Sequence, residues 1–538
     1  MKNIYFLLSI FMLFSVSGYS RNNPENTRVE PVNKRIAVFD GKTDLNTPLN
    51  SYISFSYTIA NGKQGLLKNM VTYRNRGAMP EPGAPDNPVD ERNRNNILDR
   101  EIVEIRYYGD SVAAAIVEFG SPFYIIGWLT YEEGQWMNAG EDLDNSLENA
   151  RGHADRKSKQ FMAYLGRIAV LKESPSDLSP YVDYLKSNGQ SPKEYLLGKL
   201  EKYKLVICGE VHRRKISWDL MKNVVLDPAF PENTGTVFME LPSWKQEVLD
   251  RFYNGETPDT GLLLDVMRAE QVYGWWDGGE YEFLTELWKI NRDLPDHKKI
   301  KVIAVDWQAP WDKLKTKEDL DNYYNMGVDR NSHMAEIIES HITNSNDKRN
   351  NLFIVGFAHA EKSQLPGIAS ADRGKVAQQT AGMQLAGRLS EKNVFIVFPH
   401  SMVMNNASGN QGLLRNGIFD RIFAENGNNP VGFDLKDSPF GKEPYDANDP
   451  GRYDSRAGTY EENFDGYLFF GPLDEEGPEY HLYDIFTDEF VKEIQRRALI
   501  LDDENGTYFG IPVNELTKER IISRLRQTGG KQNRWLPE

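Results

Sequence analysis

The sequence predicts an α/β core domain with a mostly parallel sheet flanked by helices, preceded by a smaller α+β domain. Three observations lead there. Beyond about residue 190, short and fully apolar runs alternate with amphipathic helical segments, the pattern of a sheet buried on both faces. Before residue 150 the apolar runs are strand-like, separated by tight turns and lacking helical crossovers. A chain of 538 residues has room for two such domains and a large core.

Taken in order, residues 1–20, "MKNIYFLLSIFMLFSVSGYS", are expected to be a secretory signal peptide. Lys2 gives a positive start, Ile4 to Phe14 is apolar, and small residues follow for cleavage. The apolar run is too short to cross a bilayer, so the mature chain is expected to be exported, periplasmic or secreted, with no membrane span. A net charge of −16 argues against nucleic acid or an anionic membrane surface as partner. The single cysteine, Cys208, leaves no intrachain disulfide.

Residues 21–34 read as a polar leader. The small domain is placed at 35–165. It opens with a helix over 50–73, with an apolar face through Ile53, Tyr57, Leu66 and Met70. A Pro/Gly/Asn-rich loop and three strand-like runs follow, and the last run carries a Glu-Glu-Gly hairpin turn. This helix-then-meander order resembles the α+β cone of nuclear transport factor 2-like and SnoaL-like domains. The resemblance implies an accessory or dimerising role. Residues 172–193 read as a linker, with Ser191 as the cap of the next helix. The catalytic domain is placed at 185–425. Residues 426–538 are expected to be a loop-rich extension with a last strand and helices packing on the core.

The chemistry lies where the apolar runs end. "LVICGEVH" ends in Glu210 and His212, "GTVFMEL" in Glu240, "IKVIAVDW" in Asp306, "LFIVGFAH" in His359 and "VFIVFPHS" in His400. Ligands of open parallel sheets bind outside the carboxyl ends of the strands. Ionisable groups there are costly unless paired or used. Glu210 and His212 are two apart and share a side in extended backbone. The form Gly-x-x-His occurs twice, at Gly209–His212 and Gly356–His359, and a strand-end glycine admits close backbone approach. Cys208 is expected to alternate away from Glu210 and His212 and to serve as core packing. Trp275 and Trp276 fit either a cleft wall or the core. Standard nucleophile signatures are missing from the sequence, which favours water activated by a His/Glu pair or by a metal.

"GEVH", "FMEL" and "GFAH", in that order, resemble the erythromycin esterase-like proteins and their relatives in the Tiki superfamily, which include haem-uptake (ChaN-like) proteins and metal-dependent proteases. The segment from Gly279 to Trp307 and the "DRNSHMAEII" helix extend the likeness over residues 190–425, with Asn331 where aspartate is usual. The resemblance implies His212 as general base, Glu210 as its orienting partner, Glu240 as a second catalytic carboxylate and His359 as acid or transition-state stabiliser. Arg330 is expected to contact substrate or a site carboxylate, and Asp306 and His400 to contact substrate. The one-residue Glu–His spacing departs from the esterases, so metal use stays open, with His212 and His359 plus Glu240 or Glu210 as the ligands if one is used.

The expectation is therefore an exported hydrolase that cleaves an ester or amide of a small-molecule or peptide substrate. A haem- or metal-binding uptake protein using the same crevice is the rival. A catalytically dead binding module is a third reading. The sequence leaves substrate and oligomeric state undetermined.

Overall fold

The computed structural model describes residues 27–72, 79–80, 82–120, 122–172, 175–362, 364–365, 378–404, 411–447, 458–477 and 480–529. The expected signal peptide lies outside them. No helix among the described residues is long and apolar enough to cross a membrane.

The first unit is an antiparallel meander of β1 (Thr27–Arg35), β2 (Glu101–Tyr108), β3 (Val112–Glu118), β4 (Tyr124–Glu132) and β5 (Gln135–Asp144), hydrogen-bonded in that order. β1 occupies much of what reads as a polar leader. Its side chains are mostly exposed, so apolar alternation is lost, and backbone pairing with β2 holds it at the sheet edge. The expected 50–73 helix is shorter. Helix α1 (Pro48–Ala60) ends where Gly62 takes φ of 67°, and Leu66 is left 46% exposed. The β4–β5 hairpin turns on Glu133 and Gly134, both at positive φ (54° and 83°), as a two-residue turn with the right twist requires. Helix α2 (Leu147–Lys172) covers one face, where Phe161 stacks on Trp128.

The second unit is built on seven strands: β6 (Leu205–Glu210), β7 (Thr234–Pro242), β8 (Lys301–Asp306), β9 (Asn350–Gly356), β10 (Val394–Pro399), β11 (Val431–Asp434) and β12 (Gly466–Phe469). Their order is β11-β12-β10-β6-β9-β7-β8, parallel throughout except for β11 against β12. Alternate residues feed two cores. Leu205, Ile207, Phe353 and Ile396 pack on one face; Val206, Cys208, Leu352 and Phe395 pack on the other. A one-residue slip would exchange the two faces, which fixes the register.

Two segments differ from their sequence reading. Residues 172–193 contain helix α3 (Ser179–Asn188), which buries Tyr181, Val182 and Leu185 in the first of these cores, so the stretch is part of the fold. Helix α4 (Pro192–Lys202) follows, and Ser191 caps it as expected by accepting from the Glu194 amide. Residues beyond 425 supply the expected last strand, β12, and also β11, which the sequence reading lacks; both complete the sheet itself, and β11 is only four residues long and embedded among turns, too short for periodicity to declare.

Candidate active site

β6, β9 and β7 are parallel neighbours, so their carboxyl ends open on one edge of the sheet. Glu210 closes β6, and the chain turns at once through His212 and Arg213, the latter at φ of 67°. Glu240 sits in β7 where the register against β8 slips between Met239 and Pro242, and such a bulge re-aims a strand residue. Asp306 ends β8. His359 does not extend a strand: β9 stops at Gly356, and the histidine rides on a single helical turn.

Glu210 Oε1 pairs with His212 Nδ1, leaving Nε2 without a hydrogen bond among the described residues. The His212 side chain keeps 45% of its surface open toward the crevice. Arg330 sits at the first turn of helix α5 (Arg330–Asn344), whose cap Asp329 accepts from the Ser332 amide at 2.7 Å. Its guanidinium donates to Asp306 Oδ1 at 2.5 Å, to Asp306 Oδ2 at 2.7 Å and to Glu240 Oε1 at 2.6 Å. Glu240 Oε2 accepts from the Gly356 amide at 2.7 Å.

His359 Nδ1 lies 2.8 Å from Asn331 Oδ1, and that oxygen also accepts from the Ala381 amide at 3.2 Å. The shared amide oxygen assigns the proton to Nδ1 and leaves His359 Nε2 as an acceptor. Nε2 is 3.3 Å from an Arg330 nitrogen and 3.7 Å from Glu240 Oε1.

The two histidines carry opposite charge preferences. Burial alone would lower the His212 pKa, but the Glu210 carboxylate, joined by Glu240, lifts it to about 9. Burial and the Arg330 charge together hold His359 below its ordinary value, in the neutral form. Burial would raise Glu240, yet Arg330, His359 and His212 hold it near 2, fully ionised.

The same cleft, about 60 Å³ in volume, is also lined by Glu270, Trp275 and Glu280. Sequence reading missed the two acids. Glu280 lies in the first turn of helix 278–293, two residues past Gly278, and accepts from Trp275 Nε1 at 2.8 Å. Asp277 caps that helix and accepts from Trp218 Nε1 at 2.9 Å; burial and Glu210 raise it to about 6. Burial, then mutual repulsion with neighbouring acids, pushes Glu270 and Glu280 well above the carboxylate range. The string "WWDGGE" held the signal for Glu280, as acids at a helix start beside paired tryptophans. Nothing local marks Glu270.

His400 does not join the site. Its backbone amide still bonds Leu468, and its ring is fully buried, 2.6 Å from the Tyr467 hydroxyl and 3.3 Å from Asp420. The strand end here is roofed by β12 and later chain, so an ionisable terminus met protein and not the crevice. Cys208 is core packing as expected, but not because it faces away. It shares parity with Glu210 and lies on the same sheet face; burial one step deeper pushes its thiol to about 12.

Glu210, His212 and Glu240 each offer a ligand atom within 4.8 Å of the others, a spacing a divalent cation can use. Glu210 Oε2 is buried without a hydrogen-bond partner among the described residues, as a ligand oxygen would be. An ion held there would act as a Lewis acid and lower the pKa of a bound water. His359, kept for this role by sequence, lies outside that group.

No protein-family model matches the chain, and no curated protein matches it. Solved structures do align with it. An erythromycin esterase variant in its open conformation is 11% identical over 51% of this chain and 92% of its own, with a TM-score of 0.34. A Bacillus cereus protein and a succinoglycan biosynthesis protein are each 11% identical over 55% of this chain and 97% of theirs, with TM-scores of 0.35. The chemical case therefore rests on this chain's own side chains.

Proposed function

We propose that the chain is an exported hydrolase that cleaves an ester or amide bond by attack of an activated water. One observation carries the reading. Glu210 engages His212 Nδ1, which orients the ring and leaves Nε2 beside the ionised Glu240 with open space before it. A carboxylate on one imidazole nitrogen and a reacting group at the other is the arrangement of a general base with its orienting partner.

In this reading His212 Nε2 takes a proton from water as the oxygen attacks the carbonyl carbon. Glu210 stabilises the imidazolium that forms. Arg330, fixed by Asp306 and Glu240, supplies positive charge where negative charge develops on the carbonyl oxygen. His359 Nε2, held as an acceptor, faces an Arg330 nitrogen at 3.3 Å and helps to order that side of the cleft. The first, antiparallel unit is kept as an accessory domain.

The test is a panel of chromogenic esters and anilides with His212→Asn and Glu240→Gln beside the wild-type chain. Turnover that falls by about 10²-fold or more in both variants supports the assignment. Undiminished turnover in either sinks it.

A further inference from the structure

Two acids of the crevice have no basic partner among the described residues; burial and neighbouring acids keep them protonated while no cation is bound, and a bound cation would return them to carboxylates. Arg330 is committed to Asp306 and Glu240, and His212 to Glu210. Glu270 and Glu280 line the same space, are each 5% exposed, and form no ion pair with any lysine or arginine among the described residues. Glu270 Oε1 is buried with no hydrogen-bond partner among the described residues. Leaving such an oxygen unsatisfied is costly, so its persistence in a cleft wall points to a ligand that completes it.

The nature of that ligand follows from the surroundings. Glu270 and Glu280 fall outside the group whose donors lie within 4.8 Å of one another, so their oxygens are too dispersed to hold one small metal ion. Trp275 joins them, donating to Glu280 at 2.8 Å and setting its ring against His212 with centroids 4.9 Å apart. An acid bonded to an indole, with a second acid on the same cleft wall, suits an organic cation, which is attracted by carboxylate and ring and tolerates a looser cage than a metal.

We propose that the substrate carries an ammonium group that seats against Glu270 and Glu280 beside Trp275, next to the bond that is cleaved. This rests on the hydrolytic reading of the crevice for the position of the bond, but the cation seat itself does not. The preference is for a fixed positive charge near the reacting carbonyl. Neutral compounds of the same shape leave Glu270 unsatisfied and bind more weakly.

A matched pair of esters tests this. 4-Nitrophenyl 4-(trimethylammonio)butyrate and 4-nitrophenyl 5,5-dimethylhexanoate differ only in N⁺ against carbon. The wild-type chain should favour the cationic ester in kcat/KM by at least about tenfold, the ratio one good charge contact supplies. Glu270→Gln should bring that ratio close to unity whatever its absolute rate, and Glu280→Gln should move it the same way. Cooperative thermal unfolding of each variant checks that it folds. No preference in the wild-type chain, or a preference that survives Glu270→Gln, overturns the proposal, because the two acids are then neutral wall residues. A preference that appears only with added Mg²⁺ or Zn²⁺ overturns it in favour of a metal.

Binding of the unreactive alcohols 4-(trimethylammonio)butan-1-ol and 5,5-dimethylhexan-1-ol, followed by tryptophan fluorescence and calorimetry, separates the two readings. Glu270-dependent binding of the cationic alcohol without turnover of either ester would refute the hydrolase and keep the cation seat. Turnover with equal binding of the two alcohols would do the reverse.

Discussion

Gly356 lies against His212 so closely that a Cβ at position 356 would stand 3.1 Å from the imidazole Cε1 and 3.3 Å from Nε2. It would also meet Glu240 Oε2 at 3.4 Å. The relation is reciprocal: a Cβ on Gly209 would meet Phe357 Cβ at 2.9 Å. Each glycine of the two Gly-x-x-His runs clears space for the other run. Gly356→Ala is therefore expected to displace the imidazole by a few tenths of an ångström. Misplacement of about 1 Å costs on the order of 10²-fold, so a loss of several-fold to about tenfold in ester kcat/KM is expected, with a small change in Tm. Unchanged kinetics with a folded protein would remove His212 from the chemistry.

The pH profile tests the same histidine. A general base works only when unprotonated, and Glu210 and Glu240 lift His212 to about 9 against the effect of burial. In chelator-treated protein, kcat/KM should climb about tenfold per pH unit and level off near pH 9. Glu210→Gln removes the largest raising influence, so the bend should move down toward the ordinary imidazole value of about 6.5 while the plateau falls through loss of orientation. A profile flat from neutral to alkaline pH, or one that Glu210→Gln leaves in place, contradicts the assignment.

How much of this was legible depended on whether the signal was local. "LVICGEVH" and "LFIVGFAH" declare their strands because a parallel strand is buried on both faces and needs no alternation. Their ionisable ends declare the crevice because charge at the end of a buried strand has a cost. His400 obeys the same local rule and misleads, since β12 and Asp420 cover that strand end and only tertiary packing decides it. Glu270 and Glu280 fail in the other direction. They come from outside the strands and reach the cleft through the docking of helices over the sheet edge. β1 was hidden because an exposed edge strand buries little, so the polar string "TRVEPVNKR" carries no pattern.

Arg330 offers a stability prediction with a definite sign. Arg330→Met strands Asp306, fully buried, and Glu240 without their cation. Breaking a fully buried pair costs about 3–5 kcal/mol; the guanidinium is 38% exposed, so a loss of about 2 kcal/mol is expected in urea unfolding. Glu240 is held near 2, below its ordinary value of 4.5, so its contribution is present above that ordinary value and is lost as pH falls through the folded one. The penalty of the variant should be largest near neutral pH and shrink in acid. An equal penalty at all pH values would show that packing, not charge, holds Arg330.

Cys208 gives a simpler check on the nucleophile. The thiol is buried and raised to about 12, so thiolate is negligible at neutral pH. Cys208→Ala should keep ester turnover within about twofold, and cost on the order of 1 kcal/mol for the small cavity left in the core. Turnover abolished in a folded Cys208→Ala protein would replace water attack with a thioester route.

Metal dependence can be argued from charge already in place. Glu210 is balanced by His212 and Glu240 by Arg330, so a divalent cation at Glu210, His212 and Glu240 must compete with the His212 proton and with the guanidinium. Ligand histidines bind as neutral imidazole, so apparent affinity rises as that proton is lost. Turnover is therefore expected to survive exhaustive chelation. Added Zn²⁺ should inhibit, by occupying the nitrogen that acts as base, and more strongly at pH 9 than at pH 7. Ester kinetics with and without chelator, run across that range, decide the matter: activity lost on chelation and restored by stoichiometric metal would move the proton-taking role from the imidazole to a metal-bound water.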